Sequence, residues 1–242
     1  MFDHVTIRVT DRSASERFYD TALIPLGTDK TYRTETFSEW QDFSLAGADD
    51  AQPTTRRLHV AFVAPSREQV DAFWRAGIDA GYTDDGKPGP RPEYRSDYYG
   101  AFLLDPDGNS AEAVHHGGLR RGRIIDHLWI RVADVAAAKR FYQAIAPHAG
   151  LQLGDDTPDR AQFVGTTGSF SLVAGRATEN VHLAFPTGDD GDVQRFHQVA
   201  TEAGYRSNGR PGERPQYHPG YYAAYILDPD GNNVEVVNHH RA

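Results

Sequence analysis

The stretch DHVTIRV, residues 3–9, decides the fold of this chain, and residues 126–132 repeat it as DHLWIRV. Apolar and polar side chains alternate along both copies, which is the pattern of a β-strand with one buried and one polar face. The polar face of each copy carries a histidine and an arginine, namely His4 with Arg8 and His127 with Arg131. Two such residues on one face of a half-buried strand indicate that this face has a chemical role.

Composition limits the classes of function. The chain has 242 residues, 39% of them hydrophobic, which is enough for one large domain or two smaller ones. A formal net charge of −9 without long runs of one sign argues against nucleic acid or a membrane as partner. The absence of cysteine excludes disulfides and thiolate metal sites. With no long apolar run and no leader-like start, we expect a cytoplasmic protein that acts on a small molecule.

The repeat covers almost the whole sequence. Residues 57–119 align with residues 180–242 without a gap, and only the 28–56 region drifts in register. We therefore predict two domains, residues 1–118 and residues 124–242. Each domain would contain two strand-helix-strand units.

Local signals place the elements of the first domain. Asp11 to Leu23 is predicted to be a helix, and Ser66 with Gln69 resembles a capping box that opens a second helix. The DPDGN sequence at residues 105–109 predicts a tight hairpin turn, because proline and glycine preset its backbone. The proline-rich segment from Lys87 to Ser96 is predicted to be a loop.

Each repeat carries two histidines and a glutamate at the same spacings of 55 and 53 positions. All of them fall in predicted strands: His4, His59 and Glu112 in the first repeat, His127, His182 and Glu235 in the second. Two imidazoles and one carboxylate form a three-point metal site with positions left for water or substrate. For a single histidine, a buried hydrogen-bonded role would be the simpler interpretation. Two complete sets favour metal binding.

At these residues the chain resembles a known family. DHVTIRVTDRSASERFYD, LHVAFVAP and YYGAFLLDPDGNSAEAV resemble the vicinal oxygen chelate superfamily, the group of glyoxalases, bleomycin-resistance proteins and extradiol dioxygenases. The resemblance implies an α+β fold of four βαβββ modules, paired into two glyoxalase-like domains with cup-shaped mixed sheets. It also implies a divalent metal ion, with Fe, Mn, Zn and Ni as candidates.

The resemblance leaves the pairing of ligands open. Family members take one ligand from the first strand of one module and two from the first and last strands of another. His4 can thus join His59 and Glu112 within its own repeat, or His182 and Glu235 of the other repeat. A monomer that forms an internal pseudo-dimer and a homodimer both fit the repeat.

One feature departs from glyoxalases, which carry a fourth ligand late in the first module. Here Ser44 and Ser171 occupy the corresponding strands. Gln41 or Asp42 could substitute in the first repeat, and Gln162 in the second. A bare pair of histidines with one carboxylate is typical of iron(II) oxygenases and manganese-dependent thiol transferases.

The second repeat also carries residues typical of extradiol dioxygenases. His218 and Tyr225 precede Glu235 as the histidine and tyrosine do in those enzymes, whereas the first repeat has Arg95 and Phe102 instead. Ring cleavage, if it occurs, is therefore expected at the second site only. The alternative is that His218 belongs to an ordinary loop and Tyr225 packs in the core.

Further residues are candidates for the lining of the cups. Arg8 and Arg131 could clamp an anionic substrate, or form salt bridges to Glu93 or Glu213. One tyrosine of each adjacent pair should face a cup and could hydrogen-bond an oxyanion, with Tyr98 and Tyr221 as the candidates over Tyr99 and Tyr222. Two histidine pairs near strand ends are predicted to be solvent-exposed tails, His115-His116 and His239-His240.

These observations leave three hypotheses. The first is a metal-dependent enzyme in which the ion acts as a Lewis acid on a small substrate that presents two adjacent oxygens, as in an isomerase or lyase. The second is a ring-cleaving dioxygenase at the second site. The third is a protein that binds and sequesters an antibiotic-like small molecule. Trp129, which stands where the first repeat has Thr6, indicates that the two cups differ.

Overall fold

Strands dominate the fold, which is α+β as predicted. The computed structural model describes residues 1–118 and 122–240. Within these residues there are four α-helices: α1 (Arg12–Leu23), α2 (Arg67–Asp79), α3 (Val135–Ala149) and α4 (Asp190–Glu202). The first eight strands are β1 (His4–Val9), β2 (Tyr32–Arg33), β3 (Phe37–Trp40), β4 (Phe43–Gly47), β5 (Leu58–Val63), β6 (Thr83–Pro90), β7 (Tyr99–Leu104) and β8 (Ser110–His115). The other eight in the described part are β9 (Ile125–Val132), β10 (Gln152–Thr157), β11 (Arg160–Val164), β12 (Ser169–Ala174), β13 (His182–Pro186), β14 (Ser207–Glu213), β15 (Tyr222–Leu227) and β16 (Asn233–Asn238).

The described strands form two eight-stranded mixed sheets, and the chain divides into two compact units. The contiguous unit is Thr6–Trp129, and the split unit combines Met1–Val5 with Ile130–Ala242. The unit boundaries fall inside β1 and β9. The domain boundaries 1–118 and 124–242 describe the sequence repeat and stay a prediction; residues 119–121 and 241–242 lie outside the described residues.

In the contiguous unit, β9, β5, β8, β7 and β6 are successive neighbours, as are β1, β4, β3 and β2. β5 runs parallel to β8, with His59 opposite Ser110, and β7 runs antiparallel to β8, with Phe102 opposite Glu112. Residues that lie opposite each other on neighbouring strands share a face of the sheet. The register therefore places His59, Glu112 and Phe102 on one face.

The split unit repeats this arrangement. β1, β13, β16, β15 and β14 are successive neighbours, as are β9, β12, β11 and β10. β13 runs parallel to β16, with His182 opposite Asn233, and β15 runs antiparallel to β16, with Tyr225 opposite Glu235. His182, Glu235 and Tyr225 therefore share a face.

Aromatic side chains between helices and sheets form the cores. In the contiguous unit the Tyr19 ring of α1 lies 4.7 Å from the ring of Phe43, which in turn lies 5.1 Å from Phe62. In the split unit the ring of Tyr142 of α3 lies 4.9 Å from Phe170. All five side chains are fully buried, and burial of apolar surface on this scale is the main driving force of folding. The polar faces of the sheets are thereby directed away from the helices.

The helix caps agree with the sequence signals. The Asp11 carboxylate accepts from Ala14 N at 3.0 Å, and the Ser66 hydroxyl accepts from Gln69 N at 3.3 Å. Both bonds satisfy backbone donors that the first turn of a helix leaves open. No helix in the described parts of the chain combines the length and apolar character needed to cross a membrane.

The loop predicted from Lys87 to Ser96 is wrong at its start, because Lys87 to Pro90 belong to β6. This strand is at the end of its sheet, and its register shifts on both sides of Gly86. Proline lacks a backbone donor, but an edge strand needs no partner on its outer side. The proline-rich composition therefore marks an irregular edge strand.

Candidate metal centres

The first cluster of metal-ligand atoms lies in the split unit and is called the His182 site (His4, His182 and Glu235). His4 Nε2 lies 3.1 Å from His182 Nε2 and 3.7 Å from Glu235 Oε2. His182 Nε2 lies 2.9 Å from Glu235 Oε2. Two imidazole nitrogens and one carboxylate oxygen thus converge on one point.

The second cluster lies in the contiguous unit and is called the His59 site (His59, Glu112 and His127). His59 Nε2 lies 2.9 Å from Glu112 Oε2, and His127 Nε2 lies 3.6 Å from the same oxygen. In each site the candidate ligand atoms all lie within 4.8 Å of one another. Each site therefore combines the first-strand histidine of one repeat with a histidine and the glutamate of the other.

Each glutamate is shared with a tyrosine. The Tyr221 hydroxyl donates to Glu235 Oε1 at 2.6 Å, and the Tyr98 hydroxyl donates to Glu112 Oε1 at 2.6 Å. Burial and the neighbouring carboxylate raise the pKa of both tyrosines well above the ordinary value, so both hydroxyls stay protonated donors. Burial is the largest influence on Glu235 and opposes its ionisation, but the hydrogen bonds from His182 and Tyr221 and the nearby His182 and His4 together bring the pKa of Glu235 below its ordinary value.

The adjacent tyrosines point elsewhere. Tyr99 donates to the Asp71 carboxylate of α2 at 2.8 Å, and the Tyr222 hydroxyl accepts from Gln194 of α4 at 3.2 Å. Alternation along the strand thus directs one tyrosine of each pair towards the site and the other towards a helix.

Aspartates precede the first-strand histidines and hold them. Asp3 Oδ2 accepts from His4 Nδ1 at 2.8 Å, and Asp126 Oδ2 accepts from His127 Nδ1 at 2.9 Å. Burial tends to raise the pKa of both aspartates, but bonds from two histidines each lower it well below the ordinary range. The Asp-His dipeptide, present in both copies of the opening stretch, is the sequence signal for this contact.

The second histidine on each aspartate corrects the prediction of exposed tails for His116 and His239, whereas the His240 side chain is 44% exposed, as predicted. His239 donates to Asp3 Oδ1 at 2.9 Å, and His116 lies 3.3 Å from Asp126 Oδ1. His116 is buried, and the His239 side chain is only 17% exposed. Hydrogen bonding to a buried carboxylate holds both rings inside, which strand-end position alone does not reveal. His218, a candidate catalytic residue, bonds through Nε2 to His239 Nδ1 at 2.9 Å.

Tyr225 occupies the face of the His182 site. Its ring lies 6.2 Å from that of His182, and its buried hydroxyl has no hydrogen-bond partner among the described residues. Burial and Glu235 raise the pKa of Tyr225, so the hydroxyl remains a donor. At the His59 site the equivalent residue is Phe102, whose ring lies 5.9 Å from His59. Trp129 lies 5.8 Å from the same histidine, so aromatic side chains surround this site more densely.

The remaining candidates have other contacts. Arg8 donates through Nη1 to the Gly47 carbonyl at 3.2 Å, and the alkyl chain of Arg131 packs beside Gly175. Their proposed role as anion clamps stays a prediction.

Of the possible fourth ligands, Asp42 accepts from Ile124 N at 3.0 Å and belongs to neither cluster. Gln41 lies at the exposed turn between β3 and β4, and Gln162 lies opposite Ser171 on neighbouring strands. The Ser44 hydroxyl bonds with that of Thr6 at 2.7 Å.

The donor sets fit a divalent metal ion. Ligand bonds of about 2.0–2.2 Å at right angles place donor atoms about 3 Å apart, close to the 2.9 and 3.1 Å separations at the His182 site. Imidazole with carboxylate suits iron, manganese, zinc or nickel. The aspartates behind His4 and His127 keep the proton on Nδ1, which leaves Nε2 as the ligand atom.

Comparison with known proteins agrees with this arrangement. The profile of the Glyoxalase/Bleomycin resistance protein/Dioxygenase superfamily matches residues 1–113 and 124–236. The chain belongs to this superfamily. Each match covers one copy of the repeat, so the chain is a tandem member. No curated protein sequence matches the chain significantly.

Several solved structures share the fold of this chain. Glyoxalase I from Zea mays superposes with a TM-score of 0.68 at 18% identity, covering 98% of this chain and 92% of that one. A point mutant of the same enzyme gives a TM-score of 0.71 at 19% identity, with coverages of 98% and 92%. A proposed dioxygenase from Bacillus subtilis subsp. subtilis str. 168 gives 0.67 at 14% identity, covering 100% of this chain and 86% of that one. At these identities the likeness concerns the fold and leaves the reaction open.

Proposed function

We propose that the chain is a divalent-metal-dependent enzyme that acts on a small substrate through two adjacent oxygens. One observation carries this proposal: each unit brings two histidines and a glutamate within 4.8 Å. The glutamates keep one oxygen for the cluster and give the other to a tyrosine. A purely structural cluster would not need two histidine nitrogens directed at the same carboxylate oxygen.

The residues around each cluster have separable tasks. A bound divalent ion would act as a Lewis acid that polarises the substrate oxygens. Tyr98 and Tyr221 orient the glutamates, and Asp3 and Asp126 orient the first-strand histidines. Arg8 and Arg131 remain the candidates for binding an anionic part of the substrate. The superfamily membership supports an isomerase, lyase or dioxygenase reaction.

Metal analysis of protein purified without oxygen tests this proposal. We expect two equivalents of one divalent metal per chain, and one equivalent after Glu235→Gln or Glu112→Gln. Glu202→Gln, the same change at an exposed glutamate outside both clusters, serves as the control and should keep two. A chain that binds no metal after incubation with iron, manganese, zinc or nickel would contradict the proposal and leave small-molecule sequestration as the better hypothesis.

A second candidate, ring-cleaving oxygenation at the His182 site, is favoured by Tyr225. Its buried hydroxyl lacks a partner among the described residues, and a substrate oxygen would satisfy it. We expect oxygen uptake with catechols in the iron-loaded protein and its loss, by about 100-fold or more, in Tyr225→Phe. Phe102→Tyr serves as the control at the other site. Bound iron without oxygen uptake across a catechol panel would exclude this reaction for those substrates.

A further inference from the structure

The two sites differ in what lies behind their second histidine. At the His59 site, His59 Nδ1 lies 3.2 Å from Ser110 Oγ. The Ser110 hydroxyl donates in turn to Asp85 Oδ2 at 2.7 Å. His59, Ser110 and Asp85 thus form a row of hydrogen bonds that ends in a carboxylate.

The His182 site has amides at the same two positions of the repeat. The carboxamide of Asn233 lies 2.6 Å from His182 Nδ1, and Asn233 Oδ1 accepts from Asn208 Nδ2 at 2.9 Å. This row of hydrogen bonds therefore ends in an amide, which can either donate or accept.

The carboxylate fixes the direction of the bonds at the His59 site. A carboxylate only accepts, so Ser110 must use its proton on Asp85, and its oxygen must accept the proton of His59 Nδ1. His59 Nδ1 therefore carries a proton, so Nε2, which lies 2.9 Å from Glu112 Oε2, can give up its own proton and bind a metal ion. Asp85 is exposed, so its field is screened and the effect works through bond direction rather than charge.

The two amides do not determine the direction of the hydrogen bonds at the His182 site. If both amides turn over, every hydrogen bond is kept, but His182 Nδ1 changes from acceptor to donor. With Nδ1 as the acceptor, the proton lies on Nε2, which then donates to Glu235 and cannot bind a metal. Metal binding at the His182 site must therefore also shift His182 to the tautomer with its proton on Nδ1, which lowers the apparent affinity for the ion.

The first-strand histidines do not contribute to this difference. His4 and His127 both donate through Nδ1 to an aspartate, at 2.8 and 2.9 Å. Among the three candidate ligands of each site, the difference in hydrogen-bonded partners therefore lies at His59 and His182.

We propose that the two sites bind a divalent cation unequally, the His59 site more tightly, and that Asp85 and Asn208 set the difference. The proposal rests on the metal-dependent function inferred above. Outer partners of metal-bound histidines typically change affinity by about 10- to 100-fold. The His59 site would then retain its ion while the His182 site exchanges it.

Single-site variants separate the two affinities. His4→Ala leaves the His59 site, and His127→Ala leaves the His182 site; zinc dissociation constants follow from competition with a chelating dye. We expect binding about tenfold or more tighter in His4→Ala. Adding Asp85→Asn to His4→Ala should remove that advantage. Adding Asn208→Asp to His127→Ala should strengthen binding by a similar factor, and both altered side chains are exposed and compatible with folding.

Nuclear magnetic resonance of the metal-free chain gives a second readout. Long-range ¹H–¹⁵N spectra should show His59 protonated on Nδ1 and His182 as a mixture of tautomers that Asn208→Asp shifts to Nδ1. The inference would be overturned if the two sites had equal affinities, if the His182 site bound the ion more tightly, or if Asp85→Asn and Asn208→Asp had no effect. The metal-dependent function would still stand after any of these outcomes. Absence of metal binding at both sites would overturn both.

Discussion

The Tyr221 hydroxyl donates a 2.6 Å hydrogen bond to Oε1 of Glu235, whose other oxygen faces His182. This bond divides the carboxylate between the scaffold and the ligand cluster. A carboxylate held at one oxygen cannot rotate freely, and preorganisation of this kind favours metal binding.

Tyr221→Phe removes that bond. We expect metal affinity at the His182 site to fall by about tenfold, because Glu235 loses its orienting partner. Competition with a chelating dye in a His127→Ala background measures this affinity. Tyr222→Phe alters the neighbouring hydroxyl on the helix side and is the matched control. Equal losses in the two variants would show that the bond has no special role.

Double substitutions test which residues form one site. His4→Ala with Glu235→Ala should remove one metal equivalent, because both residues belong to the His182 site. His4→Ala with Glu112→Ala should remove both equivalents, because the changes fall in different sites. Elemental analysis of the purified variants decides the point. The opposite pattern would mean that each site forms within one repeat.

Because Asp228 is buried, we expect the free energy of unfolding to depend on pH. Burial raises its pKa from 3.8 to about 6, so the folded chain holds a proton that the unfolded chain releases between these values. Relative to Asp228→Asn, the free energy of unfolding of the unaltered protein should fall by about 2 kcal/mol as the pH rises from 4 to 7. Urea unfolding of both proteins across this range measures the difference. A constant difference would contradict the assigned pKa.

Gly209 lies opposite Tyr225 on the neighbouring strand, and a Cβ there would lie 2.6 Å from the tyrosine ring. Gly209→Ala should therefore displace Tyr225 and lower the free energy of unfolding by about 1–3 kcal/mol. Gly188→Ala, where a Cβ meets nothing within 4 Å, should stay within about 0.5 kcal/mol of the unaltered protein. Urea unfolding compares the two; similar stabilities would show that Tyr225 adapts at no cost.

Strand alternation was sufficient to predict the strands that carry the candidate ligands. His4, His59 and Glu112 each stand at a polar position of an alternating stretch, and the structure places all three in strands. The choice of partner was not accessible in this way. Both repeats carry the same three residues at the same spacing, so local pattern gives equal support to either pairing, and the neighbours of β1 decide it.

The groups behind the ligands were harder to predict for a different reason. His116 and His239 stand at strand ends, where exposure is the usual outcome, and only long-range contacts with Asp126 and Asp3 bury them. Likewise, prolines in β6 suggested a loop because composition does not reveal that a strand lies at an edge.

The division of the chain into a contiguous and a split unit has a consequence in time. The ribosome synthesises the chain from its amino end. All three residues of the His59 site therefore exist once His127 has been added. Glu235, which completes the site of His4, is added 108 residues after His127. At ordinary rates of translation this takes on the order of ten seconds. During that interval the growing chain can complete one of its centres while the opening histidine of the other has no partner to meet.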